Sequence, residues 1–330
     1  MKCTQIIGAA VAAGSVSLAI AGGAVGTGGL LLESSFNPAE GGSMNSIGFN
    51  TQTDEVFVHF NGSASIHVYA TDGTFLRTIP KPAPGGNDDD MDFASVPVDV
   101  GGVVVPAHSL LIVENDSDPP RIYAVDPSDG TVLAQQAFEG AAVGQWTGGG
   151  YSLARGTFFT SDWNRNFIQE VDASDGTILG EFPIRPAGSP AWDFFYSDLE
   201  VLDADGNLYL VSDSQTSIRA MSPTGVWGGD FQVGSLGVSG MSGIAIDDET
   251  GEAWISSQNG NVYRLSGFPP DGCVIADLAP PLGVLDLNDV GGFVSAFLSQ
   301  QPIADLGEPF GIWDLGDILA FIDAFQAGCP

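Results

Sequence analysis

The chain has 330 residues, 44% of them hydrophobic, and carries 41 acidic side chains against 9 lysines and arginines, a net charge of −32. Such a surface repels phosphate backbones and anionic lipids, so nucleic acid is a poor partner, and it suits a salty medium. The 45 glycines and 20 prolines call for many turns, and the length suits a large domain followed by a small one.

Residues 1–24 read as a secretory signal peptide. Met1-Lys2 precedes an apolar run from Ile6 to Ile20, and Ala19-Ile20-Ala21 offers a small-x-small cleavage site. The alternative is an uncleaved anchor, which the glycine-rich stretch from Gly22 to Gly29 weakens. No other stretch is long enough to span a bilayer, so the expected location is secreted, extracellular or at the cell surface.

Residues 29–267 repeat a turn-and-strand unit. Asp72-Gly73-Thr74, Asp129-Gly130-Thr131, Asp175-Gly176-Thr177 and Pro223-Thr224-Gly225 each follow an alternating strand. Another strand lies ahead of each: Glu55–Phe60, Leu110–Glu114, Thr157–Ser161 and Leu208–Ser212. A fifth unit runs from Gly243 to Leu265 but lacks an obvious fourth strand, while residues 29–36 form an orphan strand at the other end. About four short strands in each of five units predict a mainly β chain folded as a five-bladed β-propeller, its ring closed by the N-terminal strand. Six blades, or a two-sheet sandwich, are the alternatives.

Within that region, Asn87-Asp88-Asp89-Asp90-Met91-Asp92 reads as a solvated acidic loop, with a calcium loop as the alternative. Asp203-Ala204-Asp205-Gly206-Asn207 reads as a hairpin turn. Asp162 and Asp213 follow strands, where they either bond turn backbone or, with Trp163 and Trp192, line one mouth of the ring and bind a ligand. His59, His67 and His108 have no zinc spacing, and no nucleophile elbow, P-loop or dinucleotide fingerprint occurs. Thr160-Ser161-Asp162-Trp163-Asn164 and Asp205-Gly206-Asn207-Leu208-Tyr209-Leu210-Val211-Ser212-Asp213 resemble NHL-type propeller repeats. That resemblance implies a fold whose members bind proteins, bind sugars, hydrolyse lactones or serve structurally, so it does not fix the chemistry.

Residues 273–330 hold two copies of one segment. Residues 276–297 return as 304–325 with 11 of 22 positions identical. Each copy is a loop followed by a helix. Leu287, Val290, Phe293, Val294 and Phe297 share one helical face, and Leu315, Ile318, Phe321, Ile322 and Phe325 share its counterpart. Two such faces related by a pseudo-two-fold can bury each other. Cys273 and Cys329 bracket the module, and in an exported chain they are expected to form a disulfide contributing roughly 4 kcal/mol; two free thiols are the alternative.

The twin Ala-Asp-Leu starts, the Asp286-Leu287-Asn288-Asp289 and Asp314-Leu315-Gly316-Asp317 segments, the paired Phe-x-x-Ala-Phe ends and the closing Gly328-Cys329 resemble a dockerin of the planctomycete Gly-Cys-ended type. The resemblance implies EF-hand-like calcium loops, with Asp277, Asp286, Asp289, Asp305, Asp314 and Asp317 as the candidate ligands, and a cohesin-like or surface partner. Ala279, Pro281, Gly307 and Pro309 stand where an EF loop needs oxygen ligands. The residues themselves read as helix N-caps at Asp286 and Asp314, with Asp289 and Asp317 as the capping-box acids, and calcium binding is the alternative. The expected function is a secreted, non-catalytic binding or scaffold protein: a propeller recognising a protein or glycan, fixed in place by its tail. The alternative is a propeller hydrolase or lactonase with carboxylates, and calcium, in the central channel.

Overall fold

A computed structural model describes residues 30–82, 89–114, 119–138, 146–162, 164–187, 189–203 and 205–268, and in the tail residues 276, 278, 285, 287–300, 304, 306 and 312–327. Strand β1 (Leu31–Phe36) comes first. The first blade is β2 (Met44–Asn50), β3 (Glu55–Phe60), β4 (Ser65–Ala70) and β5 (Phe75–Pro80). The second opens with β6 (Asp89–Phe93), makes a hairpin excursion through β7 (Val98–Val100) and β8 (Val103–Val105), and continues with β9 (Leu110–Glu114), β10 (Arg121–Val125) and β11 (Val132–Ala137). The third is β12 (Trp146–Ser152), β13 (Thr157–Asp162), β14 (Phe167–Val171) and β15 (Ile178–Pro183). The fourth is β16 (Ser197–Val201), β17 (Leu208–Ser212), β18 (Ser217–Met221) and β19 (Trp227–Gln232). The fifth is β20 (Met241–Asp247), β21 (Glu252–Ser257) and β22 (Val262–Ser266).

Each blade is a four-stranded antiparallel sheet, and the fifth takes β1 as its outermost strand, so the orphan strand closes the ring as the sequence predicts. The innermost strands β2, β6, β12, β16 and β20 each pack against the next and encircle the axis. The propeller therefore has five blades.

Both faces of every blade are covered, which explains why the second strands are almost wholly apolar. Leu110 and Ile112 of β9 pack toward the first blade, while Leu111 and Val113 pack toward the third. In β17, Leu208 and Leu210 face the third blade, and Tyr209 and Val211 face the fifth. Alternation is present, but it separates two buried faces and not an inside from an outside. Five apolar clusters result, one at each interface between blades. Each fully buried Val, Leu, Ile or Phe contributes roughly 1.5–3 kcal/mol relative to exposure.

The turn glycines that mark the repeat have a second duty. Gly73, Gly130, Gly176 and Gly225 all adopt positive φ, between 79 and 85°. A Cβ on each would meet the outermost strand of the preceding blade or its end: Phe36, Pro80, Ala137 and Phe182 respectively. The turn is thus the point where one blade leans on the last.

In the tail, α1 (Leu287–Leu298) and α2 (Leu315–Ala327) form a separate apolar core with Ala276 and Ala304. Phe293 stacks on Phe321 at 4.1 Å and 10°, the pseudo-two-fold contact expected from the duplication. Among the described residues no helix is long and apolar enough to cross a membrane.

Candidate functional site

The innermost strand of a blade has one edge paired and one edge facing the axis, so its axial N–H groups need acceptors. In this ring, carboxylates supply them. On β6, Asp90 accepts from its neighbour Met91 N–H at 2.7 Å and from Gly149 N–H of β12. Asp92 accepts from Phe93 N–H at 2.5 Å and from Tyr151 N–H of β12 at 2.8 Å. On β16, Asp198 accepts from Leu199 N–H at 2.6 Å and from Ile244 N–H of β20 at 2.9 Å, and Glu200 accepts from Val201 N–H at 3.0 Å. Three of the four thereby bridge one blade to the next.

The strands between them are built to make room. Gly148 and Gly150 of β12 occupy the positions that Asp198 and Glu200 occupy on β16. A Cβ on Gly148 would lie 2.9 Å from the Asp198 Cα, and one on Gly150 2.7 Å from Val201 N. Ser46 and Gly48 on β2, and Gly243 and Ala245 on β20, hold the same register. The axis is therefore walled by two acidic strands and three strands of small residues.

Burying four acids around one axis shifts them. Burial, the Asp198 charge and the hydrogen bond to Asp198 drive the Asp90 carboxyl well above the carboxylate range. Burial likewise raises Asp198 and Glu200, the latter helped by the charges of Asp92 and Asp90. Burial pushes Asp92 up to about 7, against the pull of its two backbone bonds. Asp90 and Asp198 are coupled neighbours, so the ionisation of one bears on the other.

The channel opens, at the end where the innermost strands finish, into a cavity of about 130 Å³ lined by Asp92, Glu200, Asp203, Asp248, Phe49 and Tyr151 among others. This differs from the sequence expectation. Asp90 and Asp92 are not a solvated loop; they are buried in β6, where alternation with Met91 and Phe93 turns both carboxylates toward the axis.

The residues expected at a mouth lie elsewhere. Asp162 ends β13 opposite the start of β12; it accepts from Arg165 N–H at 3.1 Å and Arg165 Nε at 2.5 Å, which is turn bonding. The Asp213 backbone N–H donates to Phe195 and Tyr196, just ahead of β16, and burial raises its carboxyl. Both belong to the opposite end of the ring from the acidic cavity. Trp192 is not at a mouth: it is 1% exposed between the third and fourth blades, under the guanidinium of fully buried Arg219, which pairs with Asp230. Trp163 lies outside the described residues, and the structure does not bring Trp192 to the strand ends that hold Asp162 and Asp213.

In the tail, Asp314 accepts from Gly316 N–H at 2.7 Å and Asp317 from Asp314 N–H at 2.8 Å, a capping box at the start of α2. Asp317 also accepts from Leu306 N–H at 2.7 Å, and Asp289 does the same for Leu278 N–H at 2.8 Å, so the two copies repeat one loop-to-helix tie. Asp277, Asp286, Asp305, Cys273 and Cys329 lie outside the described residues, as does the signal-peptide segment. Among the described residues no group of three or more His, Cys, Asp and Glu side chains is arranged to hold a metal ion.

The fold and channel define the class, a five-bladed β-propeller. No family model and no curated protein matches the chain. Among solved structures, it is similar to the glutaminyl cyclase of Myxococcus xanthus, at a TM-score of 0.52 and 11% identity over 72% of this chain and 95% of that one. Virginiamycin B lyase from Staphylococcus aureus gives 0.43 and 12% over 72% and 99%. A streptogramin B lyase gives 0.37 and 13% over 68% of this chain but only 64% of that one. Identities this low establish the fold alone.

Proposed function

We propose that this is a secreted binding protein whose propeller recognises a protein or glycan and whose dockerin-like tail docks it onto a cohesin-like module at the cell surface or in an extracellular assembly. The observation that carries the reading is a duplicated apolar stripe left over after the tail has built its core. Leu287, Val294 and Leu298 on α1 and Leu315, Leu319 and Ile322 on α2 are exposed, by 85% and 65% at the paired positions Leu287 and Leu315. Leu287 and Leu315, and Val294 and Ile322, are counterparts in the two copies, so the same patch is presented twice. Apolar residues repeated by symmetry on an otherwise acidic protein fit a partner surface. The test is titration of the full-length protein with purified cohesin modules from the same genome, with and without chelator, beside the Leu287→Glu/Leu315→Glu variant. Saturable binding lost in the variant supports docking; no binding to any module, or binding untouched by the variant, sinks it.

One observation favours a second reading, a channel hydrolase or lactonase: Asp92 sits near 7, where a general acid or base works best. Most of the channel carboxylate oxygens are already engaged by backbone N–H groups, which favours the binding role. Lactone hydrolysis that disappears in Asp92→Asn while the ring stays folded would reverse that order.

A further inference from the structure

The acidic cavity at the finishing end of the innermost strands has unequal walls. Asp92 spends both oxygens on backbone N–H groups. Asp203 accepts from Leu153 N–H at 3.1 Å and Ser95 Oγ at 3.1 Å. Asp247 accepts from Glu249 N–H at 2.9 Å and Thr250 Oγ1 at 2.6 Å. Glu200 stands apart. It is 6% exposed, gives one oxygen to Val201 N–H, and leaves the other without a hydrogen-bond donor on the cavity wall. Deeper in the channel the Ser46 hydroxyl, fully buried at the level of Asp90 and Asp198, also has no partner. The second Glu200 oxygen opens into the cavity and is available to accept from a bound donor.

Which donor suits it follows from the lining. No lysine or arginine lines the cavity, while Asp92, Glu200, Asp203, Asp247, Asp248 and Glu249 do, so the potential inside is strongly negative. A divalent metal fits poorly, because it needs several free oxygens converging and the described acids do not converge that way. One free carboxylate oxygen, a surrounding negative field and the rings of Phe49, Phe93 and Tyr151 in the wall suit a compact monovalent cation on an apolar stem. The volume of about 130 Å³ admits the end of such a stem and not a folded segment.

We infer that this mouth of the propeller binds a primary alkylammonium group, donating to the free oxygen of Glu200 and lying against the aromatic wall. This rests on the reading of the propeller as a recognition module and names the chemistry it recognises. The ammonium comes either from a lysine side chain of a partner protein or from a free amine.

Calorimetric titration of the full-length protein separates these sources. The probes are a lysine peptide blocked at both termini, the same peptide acetylated at Nζ, and n-butylamine. The expected result is one saturable site per chain for the unmodified peptide, loss of binding on acetylation, and at least tenfold weakening in Glu200→Gln with an unchanged melting curve. Glutamine keeps the acceptor for Val201 N–H, so the ring should survive the change. Should Glu200→Gln nevertheless melt early, Asp248→Asn on the adjacent blade removes a second charge from the same cavity, and peptide binding should weaken there too. Peptide binding stronger than that of n-butylamine assigns the site to a protein lysine; equal binding assigns it to the free amine. Equal binding of the acetylated peptide, no binding at all, or stoichiometric displacement by calcium overturns the proposal. Because the tail is tested by cohesin titration, failure here with docking intact strikes this mouth alone.

Discussion

The channel and the tail both bury carboxylates on backbone N–H groups, but in opposite company. Asp289 and Asp317 are each fully buried at the first turn of a helix, where the helix dipole and the N–H donors favour negative charge. Asp90, Asp92, Asp198 and Glu200 meet donors of the same kind yet face one another. The difference teaches that N–H donors do not offset burial in the channel: desolvation drives these carboxyls up despite them, and neighbouring acids add to the shift at Asp90 and Glu200. The tail acids tie each loop to the helix that follows it. The channel acids are held above the ordinary carboxylate range by burial.

That contrast can be broken at several points. The largest effect is expected at Gly148→Ala. Its Cβ would press on the Asp198 Cα and on Ser161 Oγ at 2.9 Å, wedging apart the strands that the acids bridge. A cost of about 3 kcal/mol is expected, measured by denaturant unfolding; a neutral result would mean that the axis is looser than the structure shows. Next, Asp317→Ala should cost about 2–3 kcal/mol, confined to the tail, by orphaning Leu306 N–H and Asp314 N–H. Hydrogen exchange should quicken at those amides and not in the blades.

The pH response sharpens the comparison further. The channel carboxyls have folded values above their unfolded ones, so the folded ring binds more protons than the unfolded chain. Their contribution is fully present below about pH 4, the ordinary carboxylate range, and is lost as pH rises toward 7, the value for Asp92. The propeller's Tm should therefore fall between pH 5 and pH 8; a flat or rising Tm would show that the channel acids are already ionised. The smallest effect is expected at Phe321→Leu. It removes the stack on Phe293, worth about 1 kcal/mol beyond the buried area, and its measure is a small downward shift in the tail's unfolding alone.

The blades were legible because their outer hairpins obey local rules. Asp-Gly-Thr and Thr-Gly turns need positive φ, and the strands around them alternate. The innermost strands obey the axis instead. Asn87-Asp88-Asp89-Asp90-Met91-Asp92 reads as a solvated acidic loop, and Gly148-Gly149-Gly150 carries no strand signal, because crowding around the channel selects small or acidic residues over apolar ones. The candidate site was hidden for that reason. One signal was available: carboxylates alternating with apolar residues in Asp90-Met91-Asp92-Phe93 and Asp198-Leu199-Glu200-Val201 have the period of a strand, not the irregularity of a loop. In the tail, by contrast, the capping box at Asp314 and Asp317 is local and was readable directly. Asp162 and Asp213 were correctly placed at strand ends, but at the end of the ring away from the acidic cavity.

The pairing of β1 with β22 sets the order of assembly. Phe36 faces Val262 across that last ladder, so nearly the whole propeller lies between the two strands that seal it. During synthesis the ring cannot close until Ser266 has left the ribosome, and the first strand made must wait with an open edge while the blades form behind it. Closing so long a loop costs only logarithmically more than closing a short one, so the seal is thermodynamically affordable but late and slow. Throughout that interval a neighbouring nascent chain could supply the missing strand, which makes exchange of β1 between copies the natural misfolding route for this protein.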